Sequence, residues 1–113
     1  MPIQTDGMKK DPISTSELQA GTYSYAADAG SNDTYVITLD PAPTAYTTGM
    51  RIWFKANTAN TGACTLNVNG LGAKNLKSLN NQDPQDNYIE ADSIVAVVYD
   101  GTSFQILNPD ANL

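Results

Sequence analysis

Short runs of alternating apolar and polar residues recur along the chain and are separated by turn-forming residues. The clearest run is 63–69, in which Cys64, Leu66 and Val68 alternate with polar side chains. Residues 50–56 alternate in the same way. A period of two is typical of a strand with one buried and one solvent-facing side, which is common in antiparallel sheets. Both runs are therefore predicted to be strands.

Other runs of the same kind predict the rest of the architecture. They are residues 22–27, 35–39, 74–79, 94–99 and 104–107, with a further short strand beginning at Tyr88 and Ile89. The pairs Asn69-Gly70 and Asp100-Gly101 predict tight hairpins. We therefore expect an all-β fold, a small antiparallel β-sandwich or barrel of about seven short strands, in which residues 35–72 form a meander.

The N-terminal part of the chain has a different character. Residues 1–17 are polar and are predicted to form an extended arm, and residues 18–113 the β-sandwich domain. A capping-box pattern from Ser14 to Glu17 predicts a short helical turn that ends at Gly21. The arm is expected to anchor the domain on a neighbouring protein through four residues, namely Ile3, Met8, Lys9 and Lys10.

The run 94–99 differs from the others because both of its sides are apolar. Such a strand is either central in the fold or has one side covered by another subunit. The residues proposed for an interface between subunits are Ile94, Val95, Val97 and Tyr99.

Trp53 lies between Arg51 and Lys55 on the polar side of its predicted strand. Two interpretations are open at this point. The indole could be shielded by the aliphatic stems of the two cations and pack against a neighbouring strand. Alternatively, Arg51, Trp53 and Lys55 could form an exposed face that binds a partner or stacks on a sugar ring.

Composition excludes several kinds of function. The chain has 113 residues, enough for one domain, and its formal net charge is −6. That charge argues against binding to nucleic acids or to anionic membranes. The absence of histidine excludes His-based triads and ordinary zinc sites. No apolar run reaches the ~20 residues of a membrane-spanning helix, and no secretory signal is present at the start.

No catalytic, cofactor-binding or metal-binding residues are predicted. The single cysteine, Cys64, falls on the apolar side of its strand and is interpreted as a small buried residue. Four acidic residues lie in or near one polar loop, but their spacing matches no calcium-binding motif, and a solvated acidic loop is the preferred interpretation. They are Asp83, Asp86, Glu90 and Asp92.

Four blocks of the sequence resemble a β-module of tailed-bacteriophage tail-fibre and related virion structural proteins. They are LQAG with Tyr23 and Tyr25, then TYVITLDPAPTAYTTGMRIWFKA, NTGACTLNVNGLGAKNLK and IVAVVYDGTSFQIL. In that family similar blocks occur in the same order, and the resemblance covers roughly residues 18–108.

The resemblance implies a non-enzymatic module of a virion appendage, usually a homotrimer, with other capsid or tail proteins as partners. The chain would be made in the cytoplasm of a host bacterium and incorporated into the virion. Either a capsid decoration or head fibre, or a tail fibre or adaptor, would suit a single module with a short arm. An alternative expectation is a carbohydrate-binding module that recognises glycans of the bacterial surface.

Overall fold

The computed structural model describes residues 13–110, which form seven strands, one α-helix and one turn of 3-10 helix. The helix α1 is Thr15–Ala20, and the 3-10 turn is Leu79–Asn81. The strands are β1 Tyr25–Ala27, β2 Thr34–Ile37, β3 Arg51–Lys55, β4 Thr65–Val68, β5 Ala73–Lys77, β6 Ile94–Tyr99 and β7 Phe104–Ile106.

All seven strands belong to one nearly closed, barrel-like sheet with the order β1-β3-β6-β7-β5-β4-β2. The pairs β3–β6, β4–β5 and β6–β7 are antiparallel. The pairs β1–β3, β2–β4 and β5–β7 are parallel. The predicted all-β fold of about seven short strands is confirmed, and its antiparallel character holds for half of the pairings.

The predicted meander over residues 35–72 is wrong. Strand β3 does not pair with β2 but lies between β1 and β6, whereas β2 pairs with β4. A meander needs consecutive strands to be neighbours, and the long links on both sides of β3 allow it to reach a different part of the sheet.

Both predicted hairpins are confirmed. Asn69 and Gly70, with φ of 53° and 73°, occupy the left-handed region in the turn between β4 and β5. Such turns match the twist of the strands that they join. Between β6 and β7, the Asp100 carboxylate accepts hydrogen bonds from the amides of Thr102 and Ser103, at 2.9 and 2.8 Å. The local sequence therefore determines these two turns.

The core fills the inside of the barrel with the apolar positions of the alternating runs. The Tyr35 ring lies 5.4 Å from that of Phe54. A second aromatic group joins Tyr46, Tyr99 and Phe104, with centroids 5.1–5.4 Å apart. Tilted and edge-to-face pairs of this kind add stability beyond the area that they bury.

The edge strands β1 and β2 approach each other where the barrel nearly closes, and we call this place the β1–β2 seam. The Ala29 amide donates to the Val36 carbonyl at 2.8 Å. Beside it, the buried Asp28 carboxylate accepts hydrogen bonds from the amides of Gly30 and Val36, both at 2.8 Å, and of Asn57 at 3.1 Å. The buried carboxylate thus accepts hydrogen bonds from three backbone amides that the incomplete ladder leaves without a partner.

The predicted helical turn is confirmed as α1. Its capping box pairs the Ser14 hydroxyl with the Glu17 amide and the Glu17 carboxylate with the Ser14 amide, and Gly21 ends it in the left-handed region. Residues 1–12 of the predicted arm, which include Ile3, Met8, Lys9 and Lys10, lie outside the described residues.

The predicted short strand at Tyr88 and Ile89 is absent from the seven strands. Both side chains are buried, which explains their apolar character. The Ile89 amide, however, donates to the Asn60 side chain at 2.8 Å instead of joining a ladder.

Candidate functional site

The solvent-facing side of β1, β3, β6 and β7 is the most unusual surface of the described chain. Tyr25 is in register with Trp53, and Trp53 with Ala96. The Leu107 amide donates to the Ala96 carbonyl at 2.8 Å, which places Leu107 next in the same row. We call this surface the outer face. Its members are Tyr25, Arg51, Trp53, Lys55, Ile94, Ala96, Val98, Gln105 and Leu107.

Large apolar side chains on the outer face remain exposed. The exposed fraction is 37% for Tyr25, 42% for Trp53, 47% for Ile94 and 61% for Leu107. Tyr23, two residues before the start of β1, is 42% exposed. Single exposed apolar residues are ordinary, but a contiguous group across four strands is typical of an interaction site.

The exposure of Trp53, 42%, excludes a place in the core of the barrel. Arg51, Trp53 and Lys55 are all exposed, whereas Ile52 and Phe54 face the core. The indole lies between Tyr25 and Ala96 of the neighbouring strands and keeps much of its surface in solvent. The structure therefore places these three residues on an open face, where they are available to a partner.

The four residues predicted as a subunit interface separate in the structure. Val95, Val97 and Tyr99 point into the core and are at most 6% exposed. They pack within their own chain and present no surface to a second subunit, which corrects that part of the prediction. Ile94 lies on the outer face, opposite Lys55. It thus joins the face that contains Trp53.

Sequence reasoning did not assign Leu107 or Tyr25 to this site. The alternation of β7 carried a usable signal, because Phe104 and Ile106 are buried and Leu107 continues the opposite side. What the sequence could not provide was the strand order. Only the adjacency of β1, β3, β6 and β7 brings these residues into one row.

The carboxylates of the described chain do not form a reactive centre. Asp28 is the one buried carboxylate of residues 13–110, and its oxygens are used by backbone amides. Asp83 forms an ion pair with Lys77 at 2.7 Å. Within residues 13–110, no group of three His, Cys, Asp or Glu side chains could hold a metal ion. No pair of buried acids is therefore available there for acid–base chemistry.

The thiol of Cys64 is held in its protonated form. Burial raises the pKa of Cys64 to about 12, and the negative charges of Asp33 and Asp83 act in the same direction. Because the thiolate is the nucleophilic form, a thiol with this pKa is unreactive near neutral pH. This agrees with the interpretation of Cys64 as a core residue.

A hollow of about 240 Å³ lies beside Tyr88 and is lined by Val95, Asn108 and Asp110 among others. The polar groups around it already have partners inside the fold. The Tyr88 hydroxyl donates to the Asn108 carbonyl at 3.1 Å, and the Asn108 side chain bonds to the backbone of β6. The hollow consequently offers few free polar groups to a ligand.

Comparisons with known proteins do not assign the chain to a family. No protein-family model matches the sequence, and no curated protein matches it either. In the described residues, no helix has the length and apolar character needed to cross a membrane. The outer face is thus the feature on which a functional proposal can be based.

Proposed function

We propose that the chain is a non-enzymatic structural module of a bacteriophage virion that assembles as a homotrimer. The observation that carries this proposal is the outer face, where four large apolar side chains remain exposed. The hydrophobic effect, about 25 cal/mol per Å² of apolar surface removed from water, favours covering such a surface. The four sequence blocks that resemble phage fibre modules add the context of a virion, with either head or tail as the location.

The arrangement of polar groups agrees with a structural role. Buried polar side chains of the described residues hold backbone segments together, as Asp28 does at the β1–β2 seam and Asn60 does between two loops. Groups used in this way are unavailable for catalysis. The N-terminal residues would attach the module to another virion protein.

The size of the particle in solution is the first test. Light scattering coupled to size-exclusion chromatography should give three times the monomer mass of 12.1 kDa at micromolar concentration. A strictly monomeric protein up to about 100 µM would contradict self-assembly, because virion interfaces of standard size hold at far lower concentrations.

The location requires the particle itself. Gold-labelled antibody against the purified chain should mark phage particles whose genome encodes it, at the head or at the tail. Purified particles that lack the chain by mass spectrometry would contradict a role in the virion.

A second candidate is a carbohydrate-binding module for bacterial surface glycans. The specific observation in its favour is the exposed Trp53 ring beside Tyr25, because exposed aromatic rings can stack on sugars. Titration with purified surface polysaccharide would then change Trp53 fluorescence without changing the number of protein chains per particle.

A further inference from the structure

The area of the outer face fits the centre of a protein–protein contact. Four of its members, Tyr25, Trp53, Ile94 and Leu107, are 37–61% exposed. With about 150–250 Å² for a full side chain, they leave roughly 300–450 Å² accessible. A stable interface buries about 800 Å² per partner, with an apolar centre and a polar rim. The polar residues Arg51, Lys55 and Gln105 on the same face would contribute such a rim.

Small and large side chains also alternate along one row of the outer face. Ala96, a small side chain, lies in one row between Trp53 on β3 and Leu107, the residue after β7. A small residue between two large ones would leave a hollow bordered by two ridges. Neighbouring copies that present this face toward a common axis would bring such ridges next to such hollows.

Charge favours a copy of the chain over a glycan as the occupant. The outer face contains two cations, Arg51 and Lys55, and none of its nine members is acidic. The chain has twelve acidic residues against six basic ones, and Glu90, Asp92 and Asp100 flank the two ends of β6. A copy therefore supplies carboxylates for the cations as well as apolar surface. A sugar would leave Ile94 and Leu107 uncovered.

We infer that the outer face is the surface through which copies of this chain contact one another, with Trp53 and Leu107 at its centre. This rests on the self-assembly in the proposed function and names the surface responsible. Three copies around a common axis could each present this face inward. The interface would then bury Trp53, which is the only tryptophan in the chain.

Leu107→Asp tests the inference directly. Leu107 is 61% exposed, so the substitution should leave the fold intact and place a charge in the contact. We expect the dissociation constant of the assembly to rise more than tenfold by analytical ultracentrifugation. Leu79→Asp is the matched control, because Leu79 is 76% exposed and lies outside the outer face. It should assemble as the unchanged protein does.

Trp53 fluorescence gives a second, independent measurement. Emission should shift to shorter wavelength as the unchanged protein assembles with rising concentration, and it should not shift for Leu107→Asp. Assembly that leaves Trp53 emission constant and survives Leu107→Asp would overturn this inference but not the proposed self-assembly. A protein that never assembles would overturn both. A shift caused by added polysaccharide, with no change in the number of protein chains per particle, would assign the face to a glycan and overturn the inference.

Discussion

Asparagine side chains in this fold make hydrogen bonds that a neighbouring strand would otherwise make. Asn108 accepts from the Ala96 amide at 2.7 Å and donates to the Ile94 carbonyl at 2.9 Å. Asn69 makes the same pair of bonds with the backbone of Leu39, at 2.9 and 3.0 Å. A carboxamide has a donor and an acceptor side by side, as a peptide group does. These residues extend the sheet where the backbone of a strand ends.

These roles could not be predicted from the sequence. Asn69 was predicted correctly as a turn residue, because that property depends only on the neighbouring Gly70. Its bonds to Leu39 join residues thirty positions apart. Asn60, in a run that resembles an ordinary polar loop, is fully buried for the same reason. The local sequence determines which residues favour a turn, whereas the hydrogen-bond partner of a side chain depends on the whole fold.

Asn60 is expected to be essential for the loops around it. Its amide nitrogen donates to the carbonyls of Gly62 and Gln85, at 2.9 and 2.8 Å, and its oxygen accepts from Ile89. Asn60→Ala leaves one buried and two part-buried hydrogen-bonding groups of the backbone without this partner, and we expect a loss of about 2–4 kcal/mol in the free energy of unfolding. Urea denaturation measures it. Asn75→Ala, at an exposed position of β5, should change stability by less than about 0.5 kcal/mol.

The raised pKa of Cys64 predicts a loss of stability at high pH. Its folded pKa of about 12 exceeds the ordinary 9.0, so above pH 9 the unfolded chain releases a proton that the folded chain retains. The free energy of unfolding should therefore fall between pH 9 and pH 12, by up to about 1.4 kcal/mol per pH unit for this proton. Urea denaturation at several pH values should show a smaller slope for Cys64→Ala. Equal slopes would contradict this assignment.

At the scale of elements, alternation predicts strands well and their pairing poorly. The inward positions of β3 and β4 were predicted residue by residue, because one buried and one exposed side leave a visible period of two. The same pattern does not indicate whether neighbouring strands run parallel or antiparallel, so the three parallel pairs were missed. In β6 the outward residues Ile94, Ala96 and Val98 are apolar as well, and the sequence could not distinguish the core side from the surface side.

The β1–β2 seam depends on a glycine with no room for a side chain. A Cβ atom at Gly30 would lie 2.0 Å from the Thr34 carbonyl oxygen and 3.0 Å from the Val36 nitrogen. Gly30→Ala must therefore displace the backbone that binds Asp28, and we expect about 2–4 kcal/mol of destabilisation. Amide hydrogen exchange should show the Val36 amide losing protection. A variant as stable as the unchanged protein would contradict this account of the seam.

Gly62→Ala is the matched control for that experiment. A Cβ atom at Gly62 meets no other atom within 4 Å. The substitution also reduces the freedom of the unfolded chain, so it should be neutral or stabilise by up to about 1 kcal/mol. Comparing the two variants separates the effect of the seam from the general effect of replacing glycine.

On the scale of the whole molecule, the barrel buries one side of its sheet and leaves large apolar residues exposed on part of the other side. Phe54 and Leu66 show no exposed surface, whereas Leu107 on the outer face keeps 61% of its surface in solvent. The core alone thus accounts for the fold, but it does not account for apolar residues on both sides of β6. Contact between copies would explain this second set without any change in the strands.

Such a contact would link thermal stability to concentration. If only folded chains bind one another, assembly stabilises the native state by mass action, and the melting temperature must rise with protein concentration. For a domain of about 100 residues, 1 kcal/mol corresponds to about 4–8 °C, so we expect several degrees for each tenfold increase. Scanning calorimetry from about 5 to about 500 µM covers two tenfold steps in concentration. If the outer face is the contact, the melting temperature of Leu107→Asp should rise less with concentration than that of the unchanged protein, because the introduced charge weakens binding. A melting temperature of the unchanged protein that stays constant over this range would show that the outer face is not covered by copies of the chain.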